Sequence, residues 1–376
     1  MSSRAAAPDV APPAPATVVV IGAGLIGTSV ALALRAGGTA VWLADTDLAS
    51  ARLAADLGAG RLLTTDALRD AADVAVLAVR PVAVAPALAD AQRRGLARCY
   101  TDVASVKELP LRRAAELGCD LTIFVPGHPM SGRERSGPAA ARADLFTGRP
   151  WAICPAAETR PACVAAITGL ASACGAVPVQ MPAAEHDRWV ALVSHVPHLV
   201  ATAMAAQCED APAGALALAG PGLRDVTRIA AGDPDLWTEI LAANAAPARE
   251  AVAAVAERQN TAAEVLAMIA DGKPDAAGRL TALLEAGRVG AGRLPGKQGR
   301  PAPDYAVVQA VIGDQPGELA HLFAAAGEAG INVEDVRIEH SPGLPVGVAE
   351  LYVRQEAAAR LADALGARGW PVASPP

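Results

Sequence analysis

The 376-residue sequence predicts an α/β core followed by an all-helical region and a small α+β unit. Three observations predict it. From Thr17 to about Met181, short Val/Ile/Leu runs alternate with Ala-rich helical stretches. Over 183–286 strand signals stop while helical spacing continues. Beyond the Gly- and Pro-dense run GRVGAGRLPGKQGRPAP, the pattern becomes strand, helix, strand, strand, helix. Continuous apolar strands separated by helices imply a parallel sheet covered on both faces. The closing pattern implies an antiparallel sheet with helices on one face.

Taken in order, residues 1–15 (MSSRAAAPDVAPPAP) are Ala- and Pro-rich without a continuous apolar stretch, so they read as a disordered tail and not as a secretion signal. Residues 16–182 carry the alternation TVVVIG, TSVALALRAGG, AVWLAD, LASARLAADLG, DVAVLAVRP, ARCYTDVAS, a helix over 109–117, LTIFVPGHP, WAICP and AVPVQM. Residues 183–286 form a helical domain, 287–303 an exposed connector and 304–376 the terminal α+β unit.

Composition narrows the function. Aromatics make up 3% of the chain and the net charge is −7, which leaves neither a stacking platform for bases nor a basic surface for phosphate backbones or anionic lipid. The six cysteines show no CxxC spacing, so buried reduced thiols are expected instead of a zinc or redox site. No run of eighteen apolar residues occurs in the sequence. A cytoplasmic protein without nucleic-acid or membrane partners is expected.

VVVIGAGLIGTSVALAL places Gly22, Gly24 and Gly27 in GxGxxG between a strand and a helix, with Leu25 and Ile26 opening the helix. Such glycines let the backbone turn and approach a pyrophosphate at the helix N-terminus. The second strand ends in Asp45, where a carboxylate can accept hydrogen bonds from an adenosine ribose and would repel a 2′-phosphate. That favours NAD over NADP, although an acid there can also simply cap the following helix. The fold class is therefore a Rossmann-type dinucleotide-binding domain with NAD as cofactor.

In such a sheet the ligand crevice lies outside the carboxyl ends of the strands. TDVASVK, with Ser105 and Lys107, and VPGHPMSGRERSG, with His128, both follow strands and should open onto it. In the helical region SHVPHLVATAM sets His195 and His198 three apart, and GLRDVTRIAAGDPDLW does the same for Asp225 and Arg228. Groups of this kind in an apolar helical domain can anchor an anionic substrate.

GAGLIGTSVALAL, TDVASVK, GHPMSGRERSG, SHVPH and GLRDVTRIAAGDPDLWTEI, in this order, resemble the successive motifs of the prephenate/arogenate dehydrogenase family over about residues 16–290. DQPGELAHLF and GINVED in the terminal unit resemble an ACT domain, a module that commonly binds amino acids. The resemblance implies a nucleotide domain, a helical dimerisation domain giving a homodimer, and a substrate held between them. The implied reaction oxidises a cyclohexadienol to a phenol, with hydride leaving C4 for NAD and the ring carboxylate lost as carbon dioxide. The family substrate is prephenate. L-Arogenate and 4-amino-4-deoxyprephenate stand as alternatives.

By the resemblance, His128 meets the 4-hydroxyl, where a neutral imidazole can take a proton as the carbonyl develops. A loop histidine bonded to a carbonyl is the structural alternative. Ser105 orients the same hydroxyl and the His128 ring, or caps a helix. Arg228 holds a substrate carboxylate through a guanidinium fork, or pairs only with Asp225. His195 lies near the substrate side chain. A zinc site at His195 and His198 is the competing reading, but it lacks a third ligand at good spacing. Glu134 gates the pocket or pairs with an arginine, or is a solvated loop charge. Asp233 and Trp237 match the family and also suit a helix start and a core aromatic.

Asp314, Pro316 and Gly317 form a turn entering a helix, where backbone N–H groups can receive a carboxylate, and Asn332 of GINVED falls near the ligand position of ACT modules. Feedback inhibition by L-tyrosine is the implied regulation. From another class, the chain could be a silent nucleotide-binding amino-acid sensor, but it keeps Ser105, His128 and Arg228. A general hydroxyacid dehydrogenase would need a catalytic lysine or His/Asp pattern in the second domain, which is not evident.

Overall fold

A computed structural model describes residues 12–64, 70–132, 136–294, 305–340 and 345–373. The chain folds as two compact units, residues 1–258 and 259–376.

In the first unit β1 (Thr17–Ile21), α1 (Leu25–Ala36), β2 (Ala40–Ala44), α2 (Leu48–Asp56), β3 (Arg61–Leu62), β4 (Ala72–Leu77), α3 (Pro81–Arg93), β5 (Ala97–Asp102) and α4 (Glu108–Glu116) follow one another. The five strands are parallel, in the order β3-β2-β1-β4-β5. Strand alternation sends Val18 and Val20 to one face and Val19 to the other, and all three are fully buried. The first face packs with Val30 and Leu34 of α1 and with Ile167 and Leu170 of α5 (Pro161–Ala173). The second packs with Val84 and Leu88 of α3 and Ala114 of α4. Burial on both faces is why these strands read as unbroken apolar runs.

The strand order reverses between β1 and β4. Gly22, just past β1, adopts φ +105°, and a Cβ there would lie 2.2 Å from the Ala78 carbonyl oxygen. Only glycine allows the chain to turn in that space.

The alternation does not extend the parallel sheet beyond β5. LTIFVPGHP forms a short 3-10 turn, a single bridge from Phe124 to Tyr100, and then β6 (Gly127–Pro129). β6 pairs antiparallel with β7 (Pro150–Ile153), which pairs parallel with β8 (Val177–Gln180), in a separate three-stranded sheet. Pro126 and Pro129 remove ladder donors, so this stretch cannot serve as an inner strand.

The expected thiol state is corrected at one pair. Cys99 on β5 and Cys163 on α5 form a disulfide with Cα atoms 5.5 Å apart, because the helix lies across the strand. Cys154 and Cys174 are free and buried, and burial pushes both thiols up to about 12. The end of the expected tail is also fixed: the Pro15 carbonyl accepts the Thr39 hydroxyl at 2.9 Å.

After β8 a continuous helical run carries α6 (Ala183–Val190), a π turn (Ala191–His195) and α7 (Val196–Ala206). Its 24 residues are long and apolar enough to cross a membrane by length and composition, and 33% of an 18-residue window in it is buried. Yet the run carries His186, Asp187, His195 and His198 as buried polar groups, so its inner face belongs to a polar site. Its exposed apolar side chains, Trp189, Leu192 and Val193, suit a protein partner equally well. Short helices α8 (Ala213–Leu216), α9 (Pro221–Thr227) and α10 (Pro234–Ala243) lead to α11 (Ala245–Ala270), which crosses the unit boundary.

In the second unit α12 (Ala276–Gly292) continues into the stretch expected as a connector. β9 (Tyr305–Gly313), α13 (Glu318–Glu328), β10 (Asp335–His340), β11 (Val346–Arg354), α14 (Ala358–Gly366) and β12 (Val372–Ala373) then form an antiparallel sheet in the order β10-β11-β9-β12. Val308, Ala310, Ala349 and Leu351 point to one face and bury against Leu322 of α13 and Leu361 of α14. Both helices thus cover the same face. β12 was not apparent in the sequence.

Candidate active site

The glycine loop has the form a dinucleotide needs. α1 starts at Gly24 without a side-chain cap, and a Cβ built on Gly24 would meet nothing within 4 Å. Gly27 is opposite in kind: a Cβ there would lie 2.0 Å from the Gly22 carbonyl oxygen. Gly24 keeps space open for a ligand, while Gly27 lets the helix close onto the turn. Leu25 and Ile26 are half-buried in the first helical turn. Asp45, at the end of β2, accepts the Ala23 N–H at 2.6 Å and the Asp47 N–H at 2.8 Å. The helix capped after it uses Asp47, which accepts from Ala49 and Ser50, so Asp45 is not that cap. Open space over Gly24, free N–H groups and an acid tied to the loop fit NAD.

Beside the loop, β5 delivers Asp102 to the sheet's carboxyl edge with no exposure. Its carboxylate pairs with the ammonium of Lys107, which is also fully buried, and accepts the Gly127 N–H at 3.2 Å. Lys107 donates as well to the Gly127 carbonyl at 2.6 Å. The pair therefore clamps the segment that carries His128. Ser105 lies half-buried on the bend between Asp102 and Lys107, and its hydroxyl makes no hydrogen bond among the described residues.

His128, half-buried on β6, approaches His186 with Nδ1 2.9 Å from Nε2, and the two rings meet edge to face at 5.2 Å. His186 Nδ1 lies 2.8 Å from Asp187 Oδ1. The Asp187 carboxylate also accepts the backbone N–H groups of Lys107 at 2.8 Å and Glu108 at 2.9 Å. Burial, then the neighbouring His186, Lys107 and His195, hold His128 well below the ordinary imidazole range. A neutral ring able to accept a proton is the result.

The π turn brings His195 into the same cluster with no exposure. Asn244, following α10, donates to the Asp187 carbonyl at 2.7 Å and lies 3.1 Å from His195 Nδ1. Burial lowers His195 to about 4, against an opposing pull from Asp187. Its Nε2 is buried with no partner among the described residues. His198 stacks on Trp237 with centroids 3.6 Å apart, and His195 meets the same ring edge-on at 6.3 Å. His195 thus meets Asn244 through Nδ1 and His198 meets Trp237 through its ring face, and no group of three or more metal-ligating side chains occurs among the described residues.

Arg228 is exposed and ends α9 with helical dihedrals (φ −51°, ψ −42°), where the chain tightens into a 3-10 turn (Arg228–Ala231). Asp233 caps α10, accepting from Asp235 and Leu236. Glu134 lies outside the described residues. In the second unit, Asp314 lines a cavity of about 130 Å³ with Gln315, Glu318, Leu319 and Ile338, and Gly317 turns into α13 at φ +94°. Asn332 instead bonds Glu334 at 2.8 Å.

Sequence reasoning missed Asp102, His186, Asp187 and Asn244. The first sits in plain view in TDVASVK, five residues before Lys107. The others come from distant helices, and only the HD pair in AEHDRW hinted at them.

Two family models match the chain: the nucleotide-binding domain of prephenate dehydrogenase over residues 30–180 and its dimerization domain over 182–285. A Streptomyces niveus protein named probable prephenate dehydrogenase NovF is 40% identical over 365 residues, covering 95% of this chain and 99% of that protein. Among solved structures, the prephenate dehydrogenase of A. aeolicus, in complex with hydroxyphenyl propionate and NAD+, matches with a TM-score of 0.64 and 25% identity, over 73% of this chain and 96% of that one. The arogenate dehydrogenase of Synechocystis matches with a TM-score of 0.61 and 25% identity, over 73% and 98%.

Proposed function

This chain belongs to the prephenate dehydrogenase family, and we propose that it oxidises and decarboxylates prephenate to 4-hydroxyphenylpyruvate with NAD, supplying tyrosine synthesis. Gly22, Gly24, Leu25, Ile26, Gly27 and Asp45 would hold the dinucleotide, which when bound supplies the acceptor for the hydride leaving C4. The remaining work falls to the protein: to hold C4 in line, take and return the hydroxyl proton, and neutralise two carboxylates.

His128 takes the 4-hydroxyl proton as C4 becomes a carbonyl. Loss of the ring carboxylate as carbon dioxide then leaves a phenolate, to which the same imidazole returns the proton, so none is released overall. Ser105 orients the hydroxyl, and Arg228 takes a substrate carboxylate. Its exposure is compatible with this role, since an anion arriving from solvent must first meet it.

One observation favours prephenate over arogenate. The Asn244 amide nitrogen needs one N–H for the Asp187 carbonyl and points the other at His195 Nδ1, so the His195 proton sits on Nε2, the unpartnered buried atom. An N–H donor complements the side-chain ketone of prephenate and opposes the ammonium of arogenate. Initial rates with prephenate, L-arogenate and 4-amino-4-deoxyprephenate test this. The largest kcat/KM should belong to prephenate, and a preference for arogenate would reverse the assignment.

The dimerisation domain supports a homodimer built on the helical region, with Trp189, Leu192 and Val193 as exposed apolar candidates for the contact. For the terminal unit, an ACT-type site taking L-tyrosine at the turn of Asp314, Pro316 and Gly317 is supported by the cavity that Asp314 lines, while Asn332 bonds Glu334 and does not line that cavity. A cytoplasmic location accords with such a biosynthetic role. Tyrosine that neither inhibits turnover nor raises the melting temperature would remove the regulatory part alone.

A further inference from the structure

The contacts around Asp187 determine which nitrogen of His128 carries its proton. Asp187 Oδ1 accepts the Lys107 N–H and Oδ2 the Glu108 N–H, so this carboxylate acts as an acceptor. Its 2.8 Å contact with His186 Nδ1 is then made by an Nδ1–H. A neutral imidazole has one N–H, so His186 Nε2 holds a lone pair. The 2.9 Å contact with His128 Nδ1 therefore requires His128 to donate from Nδ1. Its Nε2 is left as the bare acceptor.

We propose that His186 and Asp187 are positioning residues that fix His128 in the Nδ1–H tautomer, leaving Nε2 to take the substrate's hydroxyl proton. This rests on the reading of His128 as the base. A free imidazole samples both tautomers, and in the Nε2–H form it would meet the hydroxyl as a donor and could not take its proton. His186 and Asp187 are 2% and 1% exposed, so water does not compete for their contacts. They also lie on α6, at the start of the helical region, so the tautomer is set only when that region is packed against β6. The reverse arrangement, with both nitrogens of His186 protonated, would make His186 the donor and place the His128 proton on Nε2. The two arrangements predict opposite spectra.

Two-bond nitrogen–proton correlation spectra of the full-length protein labelled in histidine, assigned against His128→Asn, read the tautomer directly. The expected wild-type pattern is Nδ1–H. His186→Gln, whose amide oxygen can accept the same proton, should retain that pattern and keep kcat within about tenfold. His186→Leu should lose it and lower kcat by about 10²-fold or more with the KM for NAD unchanged, the order expected for a base in the wrong tautomer. An Nε2–H pattern in the wild type, or an unaltered pattern in His186→Leu, would overturn the proposal. The wild-type spectrum decides even if the leucine variant fails to fold. If the tautomer is as expected but His128→Asn keeps normal turnover, then the base assignment is what fails.

Discussion

Asn244 stands 3.1 Å from Nδ1 of His195 while its amide also holds the Asp187 carbonyl at 2.7 Å. One buried amide thus joins the end of α10 to the π turn and to α6, fixing the direction in which His195 presents its proton. Asn244→Leu should raise the KM for prephenate about tenfold or more while leaving the KM for NAD within about twofold, because on the proposed reading it frees His195 to turn its proton away from the substrate. Steady-state kinetics with each substrate varied in turn check it. An unchanged KM for prephenate would take Asn244 and His195 out of substrate recognition.

The Lys107–Asp102 pair is fully buried, and burial pushes the Asp102 carboxyl upward despite the ammonium against it. Removing one partner strands the other. Lys107→Met should therefore destabilise the protein by about 3–5 kcal/mol, and adding Asp102→Asn should recover part of that loss. Urea unfolding of the two single variants and the double variant measures the coupling. Activity should not return with stability, since Lys107 also holds the Gly127 carbonyl beside His128.

Gly24 and Gly27 of the loop should separate by readout. Gly24→Ala has room for its methyl group, so the melting temperature should hold while the Kd for NAD rises about tenfold or more. Gly27→Ala puts a methyl group 2.0 Å from a carbonyl oxygen and should cost about 1–3 kcal/mol of stability. Asp45→Ser should narrow the preference for NAD over NADP. Unchanged preference would leave Asp45 as a brace for the Ala23 N–H only.

Acid should weaken the fold through its buried imidazoles. His195 falls to about 4 in the folded chain, from an unfolded value near 6.5. The unfolded chain therefore binds the proton first. The contribution of this group is full above pH ~6.5 and is lost as pH drops toward about 4, with a slope of at most about 1.4 kcal/mol per pH unit. His128 is shifted the same way by burial and its neighbours, so the acid limb of kcat/KM should lie below the ordinary imidazole range. Unfolding free energies of the wild type and His195→Gln between pH 7 and 4 should diverge in the direction of a flatter variant.

Much of this was legible because it is local. A strand, three glycines at fixed spacing and an acid at the next strand end lie within thirty residues of one another in sequence, and the structure assembles them with Asp45 bonded to the loop. GHPM singled out His128, but the residues that pack around it were not apparent. Asp187 reaches Lys107 across 80 positions and Asn244 reaches Asp187 across 57, and nothing in either local pattern records the meeting. The Cys99–Cys163 bond spans 64 positions and was hidden for the same reason. The π turn at His195 escaped because an inserted residue leaves helical periodicity nearly intact.

The central claim is that His128 takes and returns the hydroxyl proton in an NAD-dependent oxidation of prephenate. Single-turnover formation of reduced nicotinamide from prephenate, in the wild type and in His128→Asn at saturating NAD, measures it most directly. The variant should bind NAD with unchanged Kd and react about 10²–10⁴-fold more slowly. A variant that turns over prephenate at near the wild-type rate would contradict the account.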